Sequence, residues 1–131
     1  MEGIRYLMNQ RMTIVLSTGS YLPEKRIGND DLTQFPREAI PLIAEKTGVR
    51  NRRVAAEDEC TSDLAVRAAR KCLEKEGIDP VQVEGIILAT SSPDRMQPAT
   101  ATRVQHLLGA GKAFALDINS VCSGSTFGIA L

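Results

Sequence analysis

The sequence carries no excess of charge of either sign, because 16 lysines and arginines are matched by 16 aspartates and glutamates. Domains that bind nucleic acid or lie on an anionic membrane usually show a basic excess. The sequence therefore predicts neither a nucleic-acid partner nor a membrane partner. It also contains no apolar run near the ~20 residues that a transmembrane helix needs, so no membrane span is predicted.

Cysteine and histidine are both scarce. The chain has three cysteines, Cys60, Cys72 and Cys122, and a single histidine, His106. An odd number of cysteines without framework spacing favours a reducing cytoplasm over a disulfide-bonded secreted fold. No residues stand at metal-ligand spacing and no glycine-rich phosphate loop is present, so the sequence predicts neither a metal ion nor a bound cofactor.

The rest of the composition is typical of a folded domain. Of the 131 residues, 43% are hydrophobic and 24% are charged, which predicts one globular core. Residues 1–12 lack a signal-like apolar core and are interpreted as a flexible leader, in which Met8 and Met12 offer alternative start sites. The domain itself is expected to span residues 13–131.

Strand and helix patterns alternate along this domain. Apolar and β-branched runs predict strands at residues 13–19, 86–89 and 113–116. Helical spacing predicts helices over residues 39–46, over residues 61–77 with Thr61 or Ser62 as the cap, and from Pro98 onward. This alternation is typical of an α/β fold with a mostly parallel sheet between layers of helices.

The most informative stretch is residues 117–125, in which small residues surround Cys122. The flanking apolar runs predict a strand, a tight turn and a buried helix, with Cys122 at or near the helix start. Unpaired N–H groups and the helix dipole favour a negative sulfur there, and small neighbours let a substrate carbonyl approach. From the residues alone, a plain buried cysteine remains an open alternative. Asp117 is interpreted as a turn or cap residue.

Other candidate residues have both a structural and a functional interpretation. Residues 49–54 carry Arg50, Arg52 and Arg53, which is typical of a solvated strand edge but also fits a contact with an anionic group. His106 lies off the predicted buried stripe of its helix and is interpreted as a surface imidazole. Cys60 and Cys72 are interpreted as structural residues.

Four stretches of the sequence resemble, in order and spacing, the beta-ketoacyl-acyl-carrier-protein synthase III family of thiolase-like condensing enzymes. They are residues 19–24 (GSYLPE), residues 47–53 (TGVRNRR), the helix over residues 61–77, and the cysteine segment that begins at Asp117. The resemblance covers residues 13–131. Each motif is weak by itself, but the four together are specific.

The resemblance implies a thiolase-like layered fold of two similar halves, normally assembled as a homodimer, with this chain as the N-terminal half. It implies that Cys122 is acylated by an acyl thioester of coenzyme A or acyl carrier protein. A malonyl thioester then decarboxylates and attacks the acyl group. Arg50 and Lys46 are the expected contacts to the thioester donor. The family's catalytic histidine and asparagine come from the second half, so we expect the chain to be truncated and inactive alone, in the sense that it cannot complete the condensation.

Three residues depart from the family's pattern. Leu42 stands where the family usually has a tryptophan that stacks on adenine, and Lys46 stands where it usually has an arginine. Gln97 replaces a phenylalanine that usually reaches the partner subunit's acyl pocket, which predicts a more polar or larger pocket. Two alternatives stay open: an acyltransferase that passes the acyl group to a hydroxyl or amine, and a non-catalytic half that docks on a second half.

Overall fold

The structure is a computed structural model that describes residues 14–131. Its helices are α1 (Ile40–Thr47), α2 (Thr61–Glu76), α3 (Thr100–Leu108) and α4 (Gly124–Ala130). Its strands are β1 (Arg26–Gly28), β2 (Asn51–Arg53), β3 (Gly85–Ala89) and β4 (Phe114–Ile118). Single turns of 3-10 helix, Arg37–Ala39, Pro80–Gln82 and Val121–Ser123, precede α1, β3 and α4. The predicted leader lies outside the described residues.

The strands form two separate two-stranded sheets. β1 and β2 pair antiparallel as a short ribbon. β3 and β4 pair in parallel with a continuous register, from Gly85 opposite Phe114 to Ala89 opposite Ile118. Because the two strands are parallel and equally long, their carboxyl ends reach the same edge of the sheet.

Helices cover both faces of the parallel sheet. Ile86 packs against the core cluster of Leu108, Ala110 and Ala113, on the side of α2 and α3. On the opposite face, Ile87 lies against Gly128 of α4. Successive residues of a strand point to opposite faces, so Ile86 and Ile87 pack against helices on opposite sides of the sheet. The predicted α/β class, with a parallel sheet between helices, is confirmed.

The core is built from small and medium apolar side chains. The buried hydrophobic residues are Leu32, Val66, Ala101, Val104, Leu108, Ala110 and Ala113. Helices α1 and α2 both end directly before a glycine, Gly48 and Gly77. Gly77 has a φ of 64°, a left-handed conformation that glycine adopts without a Cβ clash. In the described part of the chain, no helix is long and apolar enough to cross a membrane.

Four local predictions are wrong. Thr61 and Ser62 are the first residues of α2 and do not cap it, since the N-cap position is Cys60. The third helix begins at Thr100, two residues after Pro98. Residues 14–19 form no strand, because no described strand pairs with them to satisfy their backbone groups. The helix after Cys122 is not buried, since only one face of this short helix meets the sheet.

Candidate active site

Cys122 lies in the turn that joins the parallel sheet to α4. β4 ends at Ile118, the 3-10 turn follows, and α4 begins at Gly124. The predicted order of strand, turn and helix is confirmed, but Cys122 precedes the α-helix by two residues. Its side chain is exposed, which contradicts the alternative of a plain buried cysteine. The thiol therefore stands at the carboxyl edge of the sheet, where α/β folds bind their ligands.

The residue before Cys122 has a strained backbone. Val121 has a φ of 47° and is the only non-glycine residue with a positive φ in residues 14–131. For a β-branched residue this conformation is a genuine outlier that costs ~1–3 kcal/mol. Strain of this kind concentrates at functional sites, where the surrounding structure holds it in place. Sequence reasoning missed this feature because valine gives no sign of a left-handed turn.

Gly124 allows α4 to begin directly against the sheet. It is buried, and a Cβ built at this position would lie 3.0 Å from the Cβ of Ala89 at the end of β3. That separation is shorter than ordinary carbon–carbon contact, so a larger residue would displace one of the two elements. The glycine thereby keeps the turn that carries Cys122 close to the end of β3.

Asp117 joins β4 to the start of α3. Its carboxylate accepts hydrogen bonds from the backbone N–H groups of Thr100 and Ala101, each at 2.7 Å. A helix leaves these first N–H groups unpaired, and negative charge is favourable beside the positive end of the helix dipole. The interpretation of Asp117 as a cap is confirmed, although the residue lies within β4 and not in a turn.

The loop of residues 90–99 shares the sheet edge with Cys122. The backbone N–H of Thr90 donates to the carbonyl oxygen of Ile118 at 3.0 Å, which continues the pairing of the two strands. Thr61 at the start of α2 donates its hydroxyl to the carbonyl oxygen of Ser92 at 2.6 Å. The first part of the loop is therefore fixed on both sides.

Asp94 fixes the middle of the same loop. Its Oδ1 accepts the backbone N–H of Ser62 at 3.0 Å, and its own N–H donates to Oγ1 of Thr100 at 3.0 Å. Arg103 lies between two carboxylates, with Nη2 3.1 Å from Oδ1 of Asp63 and Nε 3.8 Å from Oδ2 of Asp94. Sequence reasoning missed this network, because residues 32 positions apart along the chain give no local pattern.

Asp63 holds the first turn of α2. Its Oδ2 accepts the backbone N–H of Cys60 at 2.9 Å. This hydrogen bond, followed by the contact with Arg103, holds the pKa of Asp63 below its usual range, although partial burial opposes the shift. An acidic residue three positions after the N-cap is a known helix-start pattern, so the sequence contained enough information to find it.

The two predicted donor contacts do not lie on the sheet that carries Cys122. Lys46 is at the end of α1 and pairs with Glu45 at 3.3 Å, with 74% of its side chain exposed. Arg50 is exposed and directly precedes β2 in the antiparallel ribbon. Neither prediction is tested by these positions.

The other two arginines of this segment hold the ribbon together. Arg52 donates to the side-chain oxygen of Asn29 at 2.7 Å. Arg53 donates to the carbonyl oxygens of Pro23 and Glu24, both at 3.0 Å. The structural interpretation therefore describes these two residues better than the interpretation as an anion contact.

The remaining sequence candidates occupy varied positions. His106 is exposed on α3, and Leu42 is 50% exposed on α1. Gln97 is exposed in the loop of residues 90–99 and forms a cis peptide bond with Pro98. Cys60 is exposed and Cys72 is half-buried, and both are free thiols. Only Cys122 among the three cysteines lies in the turn that follows a strand of the parallel sheet.

A surface cluster that the sequence did not suggest ties the loop before β1 to α2. The hydroxyl of Tyr21 donates to Glu59 at 2.9 Å, and Arg67 donates to both residues. The guanidinium of Arg67 also lies over the Tyr21 ring, 4.7 Å from its centre. A backbone N–H of Ala56 and then the Tyr21 hydroxyl lower the pKa of Glu59. The cluster orders a loop and is distant in sequence from the Cys122 turn.

Comparison with known proteins gives a consistent result. The chain is 46% identical over 120 residues to a beta-ketoacyl-acyl-carrier-protein synthase III of Hyphomonas neptunium, covering 92% of the chain and 37% of that protein. It is 47% identical over 115 residues to an acetoacetyl-CoA synthase of a Streptomyces species, covering 88% of the chain and 35% of that protein. No family model matches the chain.

Solved structures give the same picture of the fold. The chain superposes with a TM-score of 0.81 and 34% identity on the 3-oxoacyl-acyl-carrier-protein synthase III of Aquifex aeolicus, covering 91% of the chain and 38% of that protein. A priming beta-ketosynthase of a polyketide pathway matches with a TM-score of 0.80 and 28% identity, over 93% of the chain and 38% of that protein. The fold therefore defines the chain as thiolase-like.

Within that class, the chain matches proteins named beta-ketoacyl-acyl-carrier-protein synthase III over about 90% of its length. It spans little more than a third of the length of the curated relatives that it matches. The resemblance predicted from four short stretches of sequence is thus confirmed.

Proposed function

We propose that this chain supplies the nucleophile of a beta-ketoacyl-acyl-carrier-protein synthase III, in fatty acid or related polyketide-type biosynthesis. The observation that carries the proposal is the exposed Cys122, placed by a strained turn at the carboxyl edge of a thiolase-like sheet. The names of the similar proteins, beta-ketoacyl- and 3-oxoacyl-acyl-carrier-protein synthase III, support it.

The proposed reaction has two steps. The Sγ of Cys122 attacks the carbonyl carbon of an acyl thioester, and the donor thiol leaves with the proton that the cysteine gives up. A malonyl thioester then loses carbon dioxide, and the resulting enolate carbon attacks the acyl-cysteine carbonyl. The carbon–sulfur bond breaks, Cys122 is regenerated, and the product is a 3-ketoacyl thioester. Coenzyme A or an acyl carrier protein is the proposed carrier of the acyl group.

The turn restricts which backbone groups can stabilise the oxyanion of each step. The N–H of Ser123 already donates to the carbonyl oxygen of Ser120 at 3.0 Å. A donor that is already paired contributes little to a developing charge, so Ser123 is not the proposed oxyanion donor. We assign this role to backbone N–H groups elsewhere around the turn that carries Cys122.

Arg50 and Lys46 remain the proposed contacts to the anionic groups of the thioester donor. Both side chains are exposed, and guanidinium and ammonium groups are the usual partners of phosphate and carboxylate groups. We also propose a homodimer and a cytoplasmic location, the latter supported by three free cysteines. Residues 13–131 are proposed to form one of two similar halves.

A second candidate function is favoured by one surface. Large apolar side chains of β4 and α4 stay exposed: Phe114 at 58%, Phe127 at 55% and Ile129 at 72%. Exposed large apolar side chains on neighbouring elements are typical of an interface. The second candidate is therefore a half that acts only when docked on a second half with the same family fold.

The test of the first candidate is acyl transfer to Cys122. Purified chain is incubated with acetyl-CoA, and the acylated residue is located by mass spectrometry of the peptides. We expect one acyl group per chain on Cys122, its loss in Cys122→Ser, and no change in Cys60→Ser, which removes another exposed thiol. Acylation of Cys60 and Cys122 to the same extent would refute the assignment of Cys122 as the nucleophile.

The same samples separate the two candidates. In one outcome, the chain is acylated alone but releases a 3-ketoacyl product from malonyl-CoA only after a second half is added. The first candidate then describes the acylation step, and the second describes the condensation step. If no acyl group appears on Cys122 until a second half is added, the docking candidate is correct and acylation by the isolated chain is not.

A further inference from the structure

We propose that the ribbon of β1 and β2 carries an anion-binding site, in which Arg26, Arg50 and Arg53 bind a small ligand with two neighbouring phosphate groups. Pyrophosphate and a nucleoside diphosphate are ligands of this class. The ribbon is a separate sheet from the one that carries Cys122, and the site shares only Arg50 with the proposed donor contacts. The proposal therefore does not rest on acylation of the thiol, and each can fail without the other.

Positive charge is concentrated in one open cleft beside the ribbon. The cleft has a volume of about 440 Å³. Among the residues that the structure describes, its lining consists of Arg26 and residues 48–53, with four arginines and no carboxylate. The chain as a whole is neutral, with 16 cationic and 16 anionic residues, so the excess is local. A cleft lined by charge of one sign raises the local concentration of oppositely charged ligands.

The pairing of the two strands brings two of these cations together. Arg26 lies directly opposite Arg53 in the antiparallel register. Residues at opposite positions project from the same face of a ribbon, with Cβ atoms ~4.5–5.5 Å apart, and like charges there destabilise the pair. An anion between the two guanidinium groups would replace this repulsion by attraction. The register therefore indicates where the centre of the site lies.

Arg53 is held in place but keeps hydrogen-bond donors for a ligand. Its Nη1 donates to the carbonyl oxygens of Pro23 and Glu24, both at 3.0 Å. These two hydrogen bonds fix the guanidinium group, while its Nη2 and Nε atoms carry further N–H groups. Within residues 14–131, Arg26 and Arg50 form no ion pair. The site thus combines one anchored cation with two cations that can close over a ligand.

The chemistry of the cleft favours a ligand with two phosphates. A planar guanidinium group donates two parallel hydrogen bonds to a phosphate. Two neighbouring phosphates offer oxygens to several guanidinium groups at once, whereas a single carboxylate occupies one of them. The volume of the cleft lies within the ~300–1,000 Å³ of small-molecule sites and fits a ligand of nucleotide size. The neutral net charge of the chain argues against nucleic acid as the ligand.

Titration calorimetry of the chain with pyrophosphate at low salt tests the site. We expect one ligand per chain, and a dissociation constant that rises about tenfold in Arg26→Gln, because a hydrogen bond between charged groups is lost. Arg26→Lys keeps the charge but loses the planar group, so it should recover only part of the affinity. Arg26 is exposed, and circular dichroism should show both variants folded.

Two control variants and two competitors make the test specific. Arg95→Gln removes an exposed arginine outside the cleft and should leave the dissociation constant unchanged, as should Cys122→Ser. ADP and coenzyme A both contain a diphosphate and are added as competitors of pyrophosphate. Competition by coenzyme A would show that the phosphates of an acyl donor reach this site, and competition by ADP alone would show a separate nucleotide ligand. Either result supports the site.

Three results would overturn the inference. Absence of pyrophosphate binding would show that the arginines are only solvated charges. Equal weakening in Arg26→Gln and Arg95→Gln would show an effect of net charge and not of the cleft. Binding of pyrophosphate without competition by ADP or coenzyme A would show that the class of ligand is wrong. None of these results depends on whether acetyl-CoA acylates Cys122.

Discussion

Replacing Asp117 by alanine should remove a large part of the stability of this chain. The carboxylate accepts two N–H groups at 2.7 Å, and charge-assisted hydrogen bonds are worth ~1.5–3 kcal/mol each. The two donors belong to Thr100 and Ala101, which are 2% and 0% exposed, so water cannot replace the lost acceptor. The expected loss is therefore ~3–6 kcal/mol, a major share of the ~5–15 kcal/mol that keeps a typical domain folded.

Urea unfolding followed by circular dichroism measures this loss directly. Asp79→Ala is the matched control, because Asp79 accepts one N–H in an exposed turn, and a cap of this kind is worth ~0.5–2 kcal/mol. A loss below ~1 kcal/mol in Asp117→Ala would refute the reasoning, since it would mean that the two N–H groups find other partners.

Two further variants test separate features. Val121→Gly should raise the free energy of unfolding by ~0.5–1 kcal/mol. It removes the strain of a β-branched residue at φ 47°, and this gain exceeds the cost of the greater conformational freedom that glycine gives to the unfolded chain. A lower urea midpoint would contradict the strain. The pKa of Asp63 is lowered by the N–H of Cys60 and by Arg103, so its stabilisation is present at neutral pH and is lost as the pH falls below about 4. Asp63→Asn should therefore lower the urea midpoint at pH 7 but not in strong acid, and an equal loss at both would contradict this account.

Local sequence patterns correctly predicted the helices and strands that depend on interactions between residues close together in the sequence. Helices α1 and α2 end where a glycine can adopt the left-handed conformation, and β3 appears where four apolar residues follow one another. The cysteine segment was found because its residue types are unusual together and resemble a known family. In each case the deciding interactions lie within a few residues of one another.

The features that sequence reasoning missed depend on partners far along the chain. Asp94 caps α2 through Ser62, 32 positions earlier, and nothing local indicates this contact. Asp117 is predicted as a cap, but the sequence did not indicate which helix it caps, because that helix begins 17 residues before it. The predicted strand at residues 13–19 failed for the same reason, because a strand forms only where a partner satisfies its backbone. The surrounding fold imposes a positive φ on Val121, although a valine by itself prefers a negative φ.

The continuous register of β3 and β4 determines where this chain tolerates changes in length. Removing one residue from β4 would turn every following side chain to the other face, so Asp117 would leave α3 and the cysteine would emerge on the wrong side. Insertions between residues 95 and 98 change neither strand, because that tip is exposed and its anchors lie on both sides of it. Variation in length should therefore accumulate in the tip, where it leaves both strands and the thiol in place.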